Sequence, residues 1–400
     1  MRLGYGTLTN LGFLLAGILT ITSCGGATGP RSSLVSTGTA GSTSGTTVTS
    51  SDSGTTTTTS SNSGSSSSGS STTFQANLSA AGTWMRTGVS PDGAILYGSS
   101  KINPYYSNLA AIGLTHDPAS YATVKAWMQW YIRHLNLPDQ WGLNGSIYDY
   151  SYSNGIATSL NDADSTDSYA ATFLTLAWAY YQTGDASAQS YVKSIASQLD
   201  TVGGAILGTQ QSDGLTWAKP NYQIKYLMDN CEAYRGLRDL ASLFTAIGNS
   251  EAAKYNSAAD SMLAGINGMW MNGTWAVYKD GVGNLAAPKM GTWYPDATSQ
   301  VFPVLEGVIS ASDAKSTQVY NNLNTAWPGW PTLSFNSQDT FPWVLVADAA
   351  VMMGDTTRVN TYLQSMTAKY VNKNFPWPWY SAENGWYMRL NAYILGARPL

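Results

Sequence analysis

The run YAATFLTLAWAYYQTGDASAQSYVKSIASQLD, residues 169–200, decides how the chain folds. Its first part, 169–181, is apolar or small nearly all round, as a helix buried on every side must be. Its last part confines apolar residues to one helical stripe, Ala188, Tyr191, Val192, Ile195 and Leu199, and so describes a helix with one wet face. Between them lies QTGDASA, in which Gly184 can close one helix in the left-handed conformation and Asp185 can cap the next. The unit is a helical hairpin with an inner and an outer member.

The same punctuation recurs along the chain. LTHDPAS (114–120), AIGNSEA (246–252), SASDAKS (310–316) and MMGDTTR (352–358) put Asp117, Asn249, Asp313 and Asp355 where a new helix begins. The first four breaks recur at intervals of 64–68 residues and the last after 42, which is the signature of stacked helical hairpins. A second outer stripe appears at Val359, Tyr362, Leu363, Met366 and Tyr370, after the apolar segment 341–353. With an eleventh helix in 384–396, the segment around 74–85 supplies a twelfth and closes the ring. The predicted fold is all-α, an (α/α)6 toroid of helical hairpins. Short turns form one rim, and long Trp- and Gly-rich connections with short β or irregular structure form the other.

Such a ring points every inner helix's N-terminus at the long-loop rim, so the acids that lead these helices converge there. They are Asp164 and Asp167, Asp229 and Glu232, Asp296, Asp339 and Glu383. Helix capping explains part of this set: Asp near a helix start bonds free N–H groups, and the DxxE of 229–232 has capping-box spacing. Capping does not predict that the same rim gathers Trp217, Trp270, Trp275, Trp293, Trp327, Trp330, Trp377 and Trp379. Aromatic faces stack on the C–H faces of sugars, and carboxylates bind hydroxyls or do acid/base work. Trp in a loop is also often a core plug, so the individual assignments stay open.

Outside this core, 74–400, the chain reads differently. Arg2 and the apolar run 11–21 have the layout of a secretory signal, too short for a comfortable span. The run ends in ITSC, similar to the lipobox of bacterial lipoproteins, which makes 1–23 a signal peptide and Cys24 the lipidation site. Gly25 in place of Asp favours the outer membrane under the sorting rule of two-membrane bacteria. Residues 24–73 are then a tether, almost wholly Ser, Thr and Gly from 31 onward, with a reach of roughly 35 Å. The expected protein is bacterial, lipid-anchored at the cell envelope and monomeric, and meets the membrane only through that lipid.

The net charge of −4 and the lack of a basic tract argue against nucleic acid. The core's only cysteine is Cys231, and His116 and His134 are too few for a His-rich metal site, so neither a cofactor nor a metal is expected.

An (α/α)6 ring with acids and Trp at the inner-helix starts resembles the six-hairpin glycosidases, and three segments resemble glycoside hydrolase family 8. VSPDGAILYG (89–98) is similar to that family's SEGxxYG, DADSTDSYAATFL (162–174) to its ATDGD segment, and WYPDATSQVFP (293–303) to its YDAxRxP segment. Asp92 stands where the family has Glu, the Arg of the third motif is absent, and a proline separates Tyr294 from Asp296. The resemblance implies Asp92 as proton donor, Asp164 or Asp167 holding the sugar, and Asp296 as the base that activates water. Glu232, one turn into its helix, is the reserve acid.

The expected activity is hydrolysis of an oligo- or polysaccharide, by inversion, with Asp92, Asp167, Glu232 and Asp296 as catalytic residues. Asp164, Asp229, Trp217, Trp293, Tyr294, Asp339, Trp377 and Glu383 would line the substrate. Two alternatives stand beside it: a polysaccharide lyase using Tyr222 with Lys219 and Lys225, and a glycan-binding lipoprotein whose acids only cap helices.

Overall fold

The computed structural model describes residues 67–397. The segment expected to be a signal peptide, the expected lipidation site Cys24 and nearly all of the expected tether lie outside the described residues. Among those described, no helix is long and apolar enough to cross a membrane.

In chain order the helices are α1 (Ser67–Thr87), α2 (Pro104–Leu114), α3 (Tyr121–Arg133), α4 (Thr166–Gln182), α5 (Ala186–Ser194), α6 (Ala196–Thr209), α7 (Leu227–Ile247), α8 (Ala252–Asn267), α9 (Phe302–Leu305), α10 (Ala314–Ala326), α11 (Val344–Met352), α12 (Thr356–Lys369) and α13 (Ser381–Ile394). The contacts close a ring of inner helices, α2–α4–α7–α9–α11–α13 and back to α2. Helices α3, α5 with α6, α8, α10 and α12 follow their inner partners, and α1 packs against α13 as the sixth outer member. The ring is therefore sealed by the two ends of the described core.

Burial follows the division read from sequence. Every residue of α13 from Ser381 to Tyr393 is buried, whereas α12 buries only Val359, Tyr362, Leu363 and Met366. Each such large apolar side chain contributes roughly 1.5–3 kcal/mol on burial, so a single stripe suffices to hold an outer helix in place. The inner helices approach closely at glycines. A Cβ on Gly113 of α2 would strike the backbone of Gly385 of α13, and one on Gly385 would strike Leu109 and Ala110.

Four of the five short turns match their reading, while at the other α8 starts after Glu251, and Asn249 accepts the Glu251 N–H at 2.9 Å without capping the helix. Gly184, Gly248 and Gly354 are left-handed, with φ of 77°, 73° and 73°. Asp185, Asp313 and Asp355 accept N–H bonds from Ala188, Lys315 and Arg358 at the starts of α5, α10 and α12, and Asp117 caps a short 3-10 turn before α3.

Two elements depart from expectation. The fourth inner member is broken: a five-residue π-turn at Trp293–Ala297 precedes the four-residue α9, because Pro295 and Pro303 each lack the N–H a continuous helix needs. The second outer member splits at Ile195 into α5 and α6. The long connections carry small antiparallel sheets, among them the hairpin Tyr150–Ser153 with Ile156–Ser159 and the pair Tyr278–Lys279 with Leu285–Ala286.

Candidate active site

The inner-helix N-termini do meet. Tyr105 on α2 stacks on Tyr169 of α4 at 6.2 Å and donates its hydroxyl to Glu232 Oε1 of α7 at 2.6 Å. Tyr106 lies edge-on to Tyr380 before α13, and Tyr294 of the π-turn lies 5.3 Å from Trp343 at the head of α11. Aromatic side chains from the starts of α2, α4, α11 and α13 and from the π-turn thus gather at this end of the ring.

Capping is not what the acids leading α4 and α7 do. Helix α4 is capped by Ser165, whose hydroxyl accepts the Ser168 N–H, and α7 begins after Tyr226, so Asp229 and Glu232 lie inside the helix rather than at a capping box. Asp167 is fully buried and takes bonds from Ser165 Oγ at 2.5 Å, Thr216 Oγ1 at 2.6 Å and the Ser168 N–H at 2.9 Å. Burial lifts its pKa to about 6, against the pull of those bonds. Asp229, 2 % exposed, is pushed well above the carboxylate range by burial and by Asp167 and Glu232. Its Oδ2 lies 3.4 Å from Ser165 Oγ. A protonated Asp229 can donate to Ser165, which in turn donates to an ionised Asp167. Burial, then the charge of Glu306, likewise raises the pKa of Glu232.

Asp164 is different. It is half-buried at the lip of the depression, and its carboxyl makes no hydrogen bond to another described residue. Burial, then repulsion from Asp149, raises its pKa to about 7. Its charge acts on Tyr106, Tyr169, Tyr226 and Tyr294, hydroxyls drawn from four separate segments. Asp149 is the contrasting neighbour. It accepts bonds from Asn103 Nδ2 at 3.1 Å and Tyr169 Oη at 2.9 Å, and burial brings it to about 6. Two carboxyls in unlike settings are what acid/base chemistry requires.

Several sequence-predicted residues lie elsewhere. Asp92 occupies an exposed turn, held by Ser90 Oγ at 2.5 Å and by the indole N–H of Trp130 on outer helix α3 at 3.0 Å. The strong turn signal of PDG governs that segment, and Asp92 bonds to none of the inner-helix acids. Glu383 is buried and accepts the N–H groups of Trp343 and Val344 at 3.0 and 2.9 Å, capping α11 across the ring. Trp293 is 1 % exposed, packed among Trp327, Phe335 and Trp343, and presents no face to a sugar. Trp275, Trp327, Trp330 and Trp379 are core plugs too, while Trp217 and Trp270 are half-buried. Buried Asp167 and Asp229 support the wall from behind rather than facing a ligand.

Asp296 and Tyr294 are half-buried at the π-turn, and Asp296 Oδ1 accepts the Lys289 N–H at 2.5 Å. Asp339 holds the Thr340 and Phe341 N–H groups through one oxygen.

Sequence reading missed Asp149, Asn103, Tyr105 and Tyr169. Tyr105 is the second residue of α2, Tyr169 lies one turn inside α4, which reads as core, and Asp149 precedes its helix by a whole hairpin.

The cations a lyase would need are already paired. Lys219 Nζ bonds Asp162 Oδ1 at 2.8 Å and the Ala163 carbonyl at 2.7 Å. Lys225, with Lys279, grips Asp213, and Tyr222 faces Tyr226 at 3.1 Å.

No protein-family model matches this chain, so the family 8 likeness of the three segments gains no support, and no curated protein matches it. Solved structures do. The glycoside hydrolase family 63 mannosylglycerate hydrolase from Thermus thermophilus, in complex with glucose, aligns over 79 % of this chain and 99 % of its own with a TM-score of 0.58 at 11 % identity. A glycosidase variant in complex with glucose aligns over 82 % and 98 % with a TM-score of 0.58 at 10 % identity. An uncharacterized conserved protein from Thermus thermophilus gives 79 %, 100 %, 0.57 and 12 %. Residues 67–397 thus have the (α/α)6 toroid fold of these glycosidases, reached by a chain with little of their sequence.

Proposed function

We propose that this protein is a glycoside hydrolase that cleaves a sugar chain by carboxylate acid/base chemistry. Asp164 donates the proton to the leaving oxygen, and Asp296 activates water for an inverting displacement. The setting of Asp164 carries this reading: a carboxyl near pKa 7, at the lip of an aromatic-walled depression, with no protein partner to consume its proton. A general acid is most effective when its pKa lies near the working pH. Asp296 spends Oδ1 on Lys289 and leaves Oδ2 for a water. Its place two inner helices round the ring from Asp164 suits the wider carboxyl separation of an inverting site. Glu232 and Tyr105 bind sugar hydroxyls at the floor. The lipobox-like ITSC and the Ser/Thr/Gly-rich segment favour an enzyme anchored at the cell envelope, working on glycans near it.

Asp164→Asn should lower turnover on a cleaved oligosaccharide about 10²–10⁴-fold, the usual worth of a general acid, while leaving Tm unchanged within a degree. Asp296→Asn should do the same, and NMR of the fresh product should show an inverted anomer. Full activity in Asp164→Asn overturns the assignment.

A further inference from the structure

The loop 371–380, between α12 and α13, carries an exposed aromatic. Trp377 is 66 % exposed, the one Trp among the described residues so displayed. Its backbone is not slack. Pro376 and Pro378 fix φ on either side, and the Trp379 N–H bonds the Pro376 carbonyl at 3.0 Å, so the indole stands on a stiff turn. An indole this exposed leaves a large apolar face in water with no protein to cover it.

The position of that face says what covers it. Trp377 meets Phe341 edge-on at 5.8 Å, Phe341 meets Tyr380 at 5.4 Å, and Tyr380 meets Tyr106 at 5.1 Å. Tyr106 adjoins Tyr105, which donates to Glu232. The aromatic wall is therefore continuous from the exposed indole to the acid-lined floor. Beside it, Asp339 Oδ1 takes the Phe341 N–H at 2.8 Å, while Oδ2 makes no hydrogen bond to a described residue and is left for a hydroxyl. An exposed apolar face and a carboxylate that both adjoin Phe341 suit one sugar unit, with the C–H face on the indole and a hydroxyl on the acid.

We infer that Trp377, Phe341 and Asp339 form an outer sugar-binding site at the mouth of the depression. The substrate is therefore an oligosaccharide running inward from Trp377 to the catalytic acids, and not a glycoside of a single sugar. This inference rests on the hydrolase reading above.

The test uses full-length protein and cello-, malto-, xylo- and manno-oligosaccharides of two to six units. On the series that is cleaved, Trp377→Ala should lower kcat/KM on the hexamer about tenfold and leave the dimer within twofold, and Trp377→Phe should retain most of the activity, as expected of an aromatic anchor. Equal losses at every length, or no loss at any, overturn the proposal. The exposed position keeps folding out of the result, and an unchanged Tm checks it. Hexamer binding is measured separately on Asp164→Asn with and without Trp377→Ala. Weaker binding in the double variant supports the outer site even where no cleavage is seen, an outcome that removes the hydrolase reading alone. If no hexamer binds the wild-type protein, the outer site falls.

Discussion

The two rims of the ring are both studded with acids, and Asp355 at one and Asp164 at the other stand in opposite settings. At the short-turn rim, Asp355 accepts the Arg358 N–H and its guanidinium at 3.1 and 2.6 Å, together with the Tyr320 hydroxyl. Burial alone would raise its pKa, yet these bonds outweigh it and the pKa is lowered. At the long-loop rim, burial acts on Asp164 with no bond to answer it, and its pKa is raised to about 7. An acid whose partner is a helix start is part of the architecture. An acid left without a hydrogen-bond partner, as Asp164 is, is the one to which the proposed mechanism gives the proton transfer.

The sharpest way to break this comparison is to make the same change at both rims. Asp164→Asn is expected to cost about 10²–10⁴-fold in turnover with little loss of Tm. Asp355→Asn should leave turnover within twofold, because its bonds go to Arg358 and Tyr320 at the short-turn rim. Equal kinetic effects from the two variants would erase the distinction.

The pH dependence of stability separates the rims next. Asp149, Asp164, Asp167 and Glu383 have folded pKa values of about 6 to 7, against about 4 for unfolded carboxyls. Between those limits the folded chain holds protons the unfolded chain has released, so stability falls as pH rises from about 4 to about 7. Asp213 and Asp355 are lowered, and their contribution is lost as pH falls below about 4. Calorimetry from pH 4 to pH 8 should therefore find the highest Tm at the acid end, near pH 4, falling toward pH 7. A Tm that climbs steadily to pH 8 would contradict the raised set.

Gly385 tests the seam that brings the acids together. A Cβ there meets backbone of α2, which cannot yield as a flexible side chain would. Overpacking of this kind costs about 1–3 kcal/mol, so Gly385→Ala should lower Tm by roughly 5 °C. Its alkaline activity limb should stay near pH 7, since that limb belongs to Asp164. A shift in the limb would show that the acid's environment depends on the closure of the ring.

How much was legible beforehand follows the range of the interaction. The hairpins could be read because each turn is local: Gly184 and Asp185 act on residues within a few positions, and the stripe of α12 needs only helical spacing. The broken fourth member was less legible, since the effect of Pro295 and Pro303 depends on where an inner helix tries to begin. The convergence of acids followed from topology, but their division into supports and reagents did not. Asp167 and Asp164 differ by three positions, and besides the local bonds from Ser165 and Ser168 it is the distant Thr216 and Asp149 that set them apart. Trp293 and Trp377 are equally Trp in sequence. One is enclosed by Trp327, Phe335 and Trp343, and the other is held out between two prolines.

The smallest expected effect belongs to the rim that does no chemistry. Asp185 accepts the Ala188 N–H at 2.8 Å and so satisfies one of the free donors at the start of α5. Asp185→Ala leaves that donor to water and should cost about 1 kcal/mol, a Tm change of roughly 2 °C in a chain of this size. Asp185→Ser should recover most of it, because a hydroxyl oxygen reaches the same N–H. Turnover and its pH profile should be the same in all three proteins. Were Asp185→Ala to change the pH profile, the two rims would be electrostatically linked through the ring, and the separation of architectural acids from reactive ones would have to be abandoned.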